Sequence, residues 1–291
     1  MNAPFEQDVL PTPEEITHYA QHGWVLTSLV YTAASIEACR TAIRELDTHG
    51  SEPGAPWNAP PPVSSNDPRE GGFYHYVSHR KRALGQLLGA GQLAAYAAAL
   101  TGATVVRAWR DMLLRMPAGA GKGTGWHTDH AYWRTCTSDR LVSAWFCLDD
   151  CADADGCLTF VSGSHLWAGT NFVRKVAVDD IARLASVVGR AADEVRPTVV
   201  PHRRGQVSFH SCRVLHGARP NWGGRERVSF AVALQDGDNR YQALTDDPRG
   251  SIASFNVNDR VGPQGPDGRP DYTDPAFYPV LYDRLGSRSA R

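Results

Sequence analysis

Hydrophobic positions in the first hundred residues recur mainly at helical spacing. Residues 12–15 (TPEE) carry a capping threonine, a proline at the first helical position and a glutamate at the capping-box position, which predicts a helix start. Gly23 ends that helix ahead of a short strand over 24–26, and a second helix is predicted over about 34–48. Residues 79–101 also have a helical pattern. The amino-terminal part is therefore predicted to be mainly helical.

The pattern changes after residue 102 to that of β-strands. β-branched and aromatic residues dominate five segments with turn residues between them, and a helical insert over about 178–189 separates the third from the fourth. Such a series predicts an antiparallel β-barrel or sandwich. The five segments are ATVVRAWRDMLLRM, VSAWFCLDD, CLTFVSGSH, GQVSFHSCRVL and ERVSFAVALQD.

The element order predicts one domain over 1–291 rather than two. In it, 1–101 form a mainly helical part that packs on the barrel, 102–236 form the β core and 237–291 form an irregular segment. The fold class is thus mainly β with flanking α-helices. Proline and glycine crowd residues 51–72, and a loop of that length in a compact protein is often a lid or a binding loop.

Composition and charge exclude several classes of partner. The 291 residues are 42% hydrophobic and 21% charged, and the net charge of −1 provides no field to attract nucleic acid or an anionic membrane. The first residues are not expected to form a signal peptide, and no apolar run is expected to span a bilayer. Six cysteines without a CxxC pair predict neither a disulfide framework nor a zinc ribbon. We therefore expect a cytoplasmic protein.

The segment GWHTDHAYW, at 125–133, contains the first candidate metal ligands. His127 and Asp129 are two residues apart, so on extended backbone their side chains point to the same side. His216, which follows a strand 89 positions later, is the best candidate for a third ligand. Two histidines and one carboxylate leave three open positions of an octahedron, the ligand set expected of non-haem Fe(II) oxygenases.

Other ligands and another metal stay open at this point. His210 is the rival of His216, although a histidine in the middle of a strand is more often packed behind the ligands. His130 adjoins the pair and is expected to face away from the metal or toward substrate. Zinc accepts the same three side chains but usually keeps only one open position.

Arg227 favours iron over zinc. It starts a strand after a tight turn, where its guanidinium can hold a carboxylate through two parallel hydrogen bonds, and Ser229 points the same way. Arg225 and Arg219 are its competitors, and Arg115 is a candidate for a second anionic contact. An oxygenase that uses 2-oxoglutarate needs such an anchor for the far carboxylate of this cosubstrate.

Four segments together resemble one family of enzymes. HTD, AWFCLDD, DGCLTFVSGSH and HSCRVLHGARPNWGGRERVSF, in this order, are similar to the phytanoyl-CoA dioxygenase family of Fe(II)/2-oxoglutarate oxygenases. The resemblance covers about 103–236 and, more loosely, the opening TPEEITHYAQHGWVL. It implies a double-stranded β-helix, which is a jelly roll of cupin type, in agreement with the strand pattern.

The resemblance also implies a set of site residues and a reaction. His127, Asp129 and His216 would bind Fe(II), and Arg227 with Ser229 would bind 2-oxoglutarate, leaving one position for O2. The cosubstrate would be converted to succinate and CO2 while a small-molecule substrate is hydroxylated, desaturated, cyclised or epimerised, with hydroxylation as the default. Halogenating relatives lack the metal carboxylate, so Asp129 argues against halogenation.

Substrate contacts are expected from residues near the metal motif and from the loops 51–76, 130–138 and 237–275. These loops carry both aromatic and charged residues, which predicts a partly apolar, partly polar substrate, such as an intermediate of secondary metabolism. A CoA thioester is not supported, because the net charge is close to zero. Two other functions stay open, a cupin-like binding protein and a zinc hydrolase. The candidate contacts are His130, Tyr132, Trp133 and Trp145.

Overall fold

The computed structural model describes residues 3–55, 72–244 and 256–285. Within these ranges the chain forms helices and strands in an order close to the predicted one. The helices are α1 (Pro13–His22), α2 (Ala33–His49), α3 (Arg82–Leu88), α4 (Gly91–Thr101), α5 (Ile181–Val188) and α6 (Asn258–Val261). The strands are β1 (Trp24–Val30), β2 (Gly72–His75), β3 (Val105–Met116), β4 (Thr124–His127), β5 (Val142–Cys147), β6 (Leu158–Val161), β7 (Pro197–Val199), β8 (Gln206–Ser211), β9 (His216–Ala218), β10 (Arg227–Asp236) and β11 (Val280–Asp283).

The strands form two antiparallel sheets. The larger one has the order β1-β8-β5-β10-β3-β11, with β2 also paired to β3, and the smaller one has the order β4-β9-β6-β7. One apolar cluster includes Trp145 from β5, Ala231 from β10 and Phe160 from β6, so it fills the space between the two sheets. The predicted jelly roll with flanking helices is confirmed.

A second and larger apolar cluster joins the helices to the outer face of the large sheet. Phe209 and Phe230 from the sheet belong to it together with Leu93 and Tyr96 from α4. The rings of Tyr96 and Phe209 stack with their centroids 5.4 Å apart. Since alternate residues of each strand face opposite sides, one face of the sheet packs against helices and the other is left for the barrel interior.

Helix α1 begins where the sequence predicts it. The Thr12 hydroxyl accepts a hydrogen bond from the Glu15 backbone N–H, and the Glu15 carboxylate accepts one from the Thr12 N–H. Gly23 then adopts a left-handed conformation, with φ of 77°, which ends the helix and lets β1 start at the next residue. This reciprocal cap fixes the entry of the chain into the large sheet.

The stretch Arg82–Thr101 bears on the expectation that no apolar run spans a bilayer. An 18-residue window within its 20 residues has a mean hydropathy of 1.2, which by length and composition is sufficient for a membrane span. The structure divides this stretch into α3 and α4, with Gly89 ending α3. Helix α4 buries most of its side chains against the large sheet. We therefore interpret the stretch as a pair of core helices.

Five short strands and one long loop differ from the sequence analysis. Strands β2, β4, β7, β9 and β11 have three or four residues each, too few to show an alternating pattern. Strand β11 lies in the segment predicted to be irregular, and it extends the large sheet by pairing with β3. Most of the predicted loop at 51–72, including the lid interpretation, lies outside the described residues.

The pairing of β4 with β9 depends on a glycine. Residue Thr124 is opposite Ala218, and His127 is opposite His216. A Cβ atom on Gly123 would clash with the Ala218 carbonyl oxygen and the backbone that follows it. Only glycine therefore lets the two backbones approach closely enough for this ladder.

We predict that Gly123→Ala destabilises the fold by about 1–3 kcal/mol, because the added methyl group must push β4 away from β9. Urea unfolding followed by tryptophan fluorescence measures the loss. Gly121→Ala is the matched control, since a Cβ atom at Gly121 meets no atom within 4 Å. Equal unfolding midpoints for the two variants would contradict this account of the pairing.

Candidate metal centre and cosubstrate pocket

Three side chains converge where β4 and β9 meet the edge of the barrel interior. His127 is the last residue of β4 and His216 is the first of β9, and the two are directly opposite in the ladder. Asp129 follows at the start of a 3-10 turn, Asp129–Ala131. Each histidine Nε2 lies 3.9 Å from Asp129 Oδ1, and the candidate ligand atoms all lie within 4.8 Å of one another. One metal ion can therefore contact all three.

Backbone carbonyl groups orient both imidazole rings. His127 Nδ1 is 2.9 Å from the Gly125 carbonyl oxygen, and His216 Nδ1 is 3.0 Å from the Val214 carbonyl oxygen. A carbonyl oxygen only accepts hydrogen bonds, so each Nδ1 carries the proton and each Nε2 presents its lone pair to the common point. This is the arrangement that a metal site requires of neutral histidines.

Asp129 is held by the large sheet through its other oxygen. Ser143 Oγ on β5 donates a hydrogen bond of 2.8 Å to Asp129 Oδ2, and His210 Nε2 on β8 lies 3.5 Å from the same atom. His210 and Ser143 are opposite each other in the β5–β8 ladder. His210 therefore lies behind the carboxylate, the position expected for a packed histidine, and not among the three candidate ligands.

The protonation states of the three groups suit a divalent cation. Burial alone would raise the pKa of Asp129, but the hydrogen bond from His210 and the nearby His216 outweigh it and hold the pKa below its usual range. Burial lowers the pKa of His127, and it lowers that of His216 well below the usual value, where the neighbouring histidines add to the effect. The site thus offers one carboxylate and two neutral imidazoles.

A buried arginine lies further along the inner face of the large sheet. Arg227, the first residue of β10, is 5% exposed, and its guanidinium lies 5.9 Å from the ring centre of Trp145 and donates to the Gly156 carbonyl oxygen. No carboxylate of the described residues is within ion-pair distance of it. Arg227 Nε and the Ser229 hydroxyl are buried without hydrogen-bond partners. A buried cation without a counterion is costly, so this pocket fits an anionic ligand.

Two further residues line this pocket that the sequence analysis did not identify. His202 Nδ1 lies 2.8 Å from the Val200 carbonyl oxygen, its ring stands edge-on to Trp145 at 4.6 Å, and its Nε2 is buried without a partner. Burial lowers the pKa of His202 to about 4, so the ring is neutral. Ser208, opposite Trp145 in the β5–β8 ladder, also has an unpaired buried hydroxyl. No local motif marks either residue.

The three aromatic residues predicted to contact substrate lie in different parts of the structure. Tyr132 stands edge-on to His127, with ring centroids 5.9 Å apart, which places it beside the metal ligands. Trp145 lies between Arg227 and His202, on the cosubstrate side. Trp133 belongs to a separate aromatic cluster of the barrel, formed with Trp109, Tyr272 and Tyr278.

His130 faces away from the metal, which is one of the two positions expected of it. The backbone N–H of His130 donates to the Cys212 carbonyl oxygen, and its side chain lies near Arg213 and Asp139, which pair at the surface. We therefore no longer assign His130 to the substrate.

Arg115 is opposite Val228 in the β3–β10 ladder, so it faces away from Arg227 and Ser229. It forms ion pairs with Asp47 at 2.7 Å and Glu226 at 3.2 Å. The structure thus removes Arg115 from the cosubstrate pocket. The expectation failed because the face of a residue depends on strand register, which the sequence did not define.

Solved structures with the same fold include several iron enzymes. The non-haem α-ketoglutarate-dependent carbocyclase SnoK from nogalamycin biosynthesis has a TM-score of 0.68 and 23% identity, with 93% of this chain and 96% of SnoK covered. The epimerase SnoN from the same biosynthesis has a TM-score of 0.68 and 21% identity over 92% of this chain and 97% of SnoN. EctD from S. alaskensis has a TM-score of 0.65 and 18% identity over 87% and 82% of the two chains. These likenesses show the fold.

Sequence relatives and a family model agree with one another. Phytanoyl-CoA dioxygenase domain-containing protein 1 homologs from Caenorhabditis briggsae and Caenorhabditis elegans are 25% and 26% identical over 117 residues, which is 39% of this chain. The match spans 41% of the length of each relative. The model of the phytanoyl-CoA dioxygenase family matches residues 19–229, well over half of the chain. The chain therefore belongs to the phytanoyl-CoA dioxygenase family.

Proposed function

We propose that the protein is an Fe(II)- and 2-oxoglutarate-dependent dioxygenase that hydroxylates a small-molecule substrate. The observation that carries the proposal is the buried Arg227, without a carboxylate partner among the described residues, on the same interior as the triad of His127, Asp129 and His216. A triad alone suits several metals and functions. A triad together with an anion clamp is what a keto-acid cosubstrate requires.

The described residues fit both groups that the reaction needs. His127, Asp129 and His216 would hold the iron, with three positions left open for other ligands. Arg227 and Ser229 would bind the far carboxylate of 2-oxoglutarate, and the unpaired Nε2 of His202 and hydroxyl of Ser208 lie on the same side. When bound, iron and the keto acid supply oxygen activation, with release of succinate and CO2.

The protein's own side chains fix and orient the metal ligands and shield the site from water. Ser143 and His210 hold Asp129 so that a single oxygen faces the metal position. The apolar cluster around Trp145 and Phe160 keeps water from the space between the sheets, which strengthens the ionic contacts of Arg227. A mere binding protein gains nothing from an open triad paired with an anion clamp, so we rank that alternative second.

Three observations support the finer parts of the proposal. SnoK and SnoN belong to nogalamycin biosynthesis, and an EctD structure holds 2-oxoglutarate and 5-hydroxyectoine, so proteins of this fold act on small molecules. Carbocyclisation and epimerisation by the first two keep those outcomes as the alternative to hydroxylation.

All six cysteines are free buried thiols, which supports a reducing cytoplasm as the location of the protein.

The cosubstrate role of Arg227 is tested with Arg227→Met. We expect Fe(II) binding to persist and 2-oxoglutarate binding to weaken about a hundredfold, because a charge-assisted bidentate contact is lost. Anaerobic addition of Fe(II) and then 2-oxoglutarate, followed through the visible charge-transfer band of the keto-acid complex, measures both steps. Arg115→Met is the matched control, since Arg115 faces the other side of the sheet. A band of equal affinity in Arg227→Met would refute the cosubstrate role.

The ligand assignment is tested by comparing three histidine variants. His216→Ala is expected to abolish tight Fe(II) binding. His210→Ala is expected to weaken it about 10–100-fold, because His210 orients Asp129 without being a ligand. His130→Ala is expected to leave it unchanged. Anaerobic calorimetric titration with Fe(II) gives the three affinities, and retention of full affinity in His216→Ala would show that the triad is wrong.

A further inference from the structure

A second arginine, Arg110 on β3, faces the barrel interior beside the carboxyl-terminal part of β10. Arg110 is opposite Ala233 on β10, and Ala233 is opposite Ser143 on β5. Ser143 is the residue that donates a hydrogen bond to Asp129. Residues directly opposite in a ladder project to the same face, so Arg110 and Ser143 share the inner side of the sheet. Their backbones are two strand spacings apart, about 10 Å, which brings the Arg110 side chain within reach of a molecule bound beside the metal.

Arg110 has no anionic partner among the residues that the structure describes. Its Nε atom is buried and without a hydrogen bond, and its guanidinium lies 5.5 Å from the ring centre of Trp133. On the same strand, Arg115 forms two ion pairs. Asp259, an acidic residue near the same aromatic rings, already accepts hydrogen bonds from Thr135 and Tyr272.

The surroundings of Arg110 combine positive charge with aromatic surface. Burial, together with Arg110 and Arg260, lowers the pKa of His75 to about 3, so the His75 ring is neutral and carries no charge. Arg174 lies 5.9 Å from the ring centre of Tyr132, which itself contacts His127. A core cluster of fully buried rings lies next to Arg110, namely those of Trp109, Trp133, Tyr272 and Tyr278.

A carboxylate held by Arg227 cannot also be the partner of Arg110. Arg227 and Ala233 are six residues apart on β10, and at about 3.3 Å per residue this places the two arginines roughly 20 Å apart along the strand. The Asp129 carboxylate is held at the level of Ala233, since Ser143 is opposite Ala233 and donates to Asp129 Oδ2. A carboxylate that is paired with Arg227 therefore leaves Arg110 unpaired.

We infer that Arg110 determines substrate specificity by binding an oxyanion group, a carboxylate or a phosphate, of the primary substrate. The apolar part of that substrate packs on Tyr132, the half-buried ring beside His127. This inference rests on the proposed function, since it assigns the substrate class of the same site. Arg110 would bind the anion through the buried Nε and one terminal nitrogen, the pair that suits a planar carboxylate.

The test uses three probes that each have one phenyl ring. Benzoate and phenyl phosphate are anions, and benzamide is neutral. Calorimetry is done anaerobically on protein saturated with Fe(II) and 2-oxoglutarate, so that the probes cannot occupy the Arg227 position. We expect at least one of the two anions to bind about 10–100-fold more tightly than benzamide, the worth of a charge-assisted contact. The probe that shows the preference distinguishes a carboxylate from a phosphate.

The same titrations on variants assign the preference to a residue. Arg110→Gln is expected to lose it, Arg110→Lys to keep part of it, and Arg115→Gln, the matched control on the outer face, to keep all of it. Equal binding of the three probes by the wild-type protein, or an unchanged preference in Arg110→Gln, overturns the inference. The charge-transfer band is recorded in each sample and reports separately on the proposed function. Probe binding is measured whether or not the band forms.

Discussion

The carboxylate of Asp129 joins the two sheets of this protein at one point. One oxygen accepts from Ser143 on the large sheet and lies near His210, while the other faces two histidines on the small sheet. The carboxylate is buried and ionised, so its position is set by these contacts and not by solvent. The position of the metal site therefore depends on the packing of one sheet on the other.

Strand β10 arranges the remaining parts of the site along one line. Its inner positions alternate with outer ones that pack on the helices, so every second residue from Arg227 onward faces the barrel. Ser229 has a hydroxyl, and Ala231 and Ala233 have only methyl groups, which leaves room between the sheet and the metal ligands. Large residues on the outer face, such as Phe230 and Leu234, anchor the strand in the main core. The stability of the strand thus comes from one face and the chemistry from the other.

Much of this arrangement could be predicted from the sequence because local rules decide it. The cap at Thr12, the long strands and the two-residue spacing of His127 and Asp129 are local signals, and His216, 89 positions later, was proposed because it follows a strand. The face of Arg115 could not be predicted, because it depends on the register between β3 and β10, and a shift of one residue reverses every side chain. His202 was missed for another reason. It lies outside the named strands, in an isolated bridge with Cys151, and only the fold brings it to Trp145.

The site residues that the sequence analysis predicted and those that it missed share one property. Arg227, Ser229, Ser208 and His202 all have buried polar atoms without partners, and each such atom costs free energy in the folded protein. A chain selected only for stability would replace them with apolar residues of similar size. Their grouping on one side of the metal ligands means that the cost is offset when a ligand with several acceptor oxygens binds. A ligand that pairs these atoms binds the folded chain alone, so its binding would stabilise the barrel.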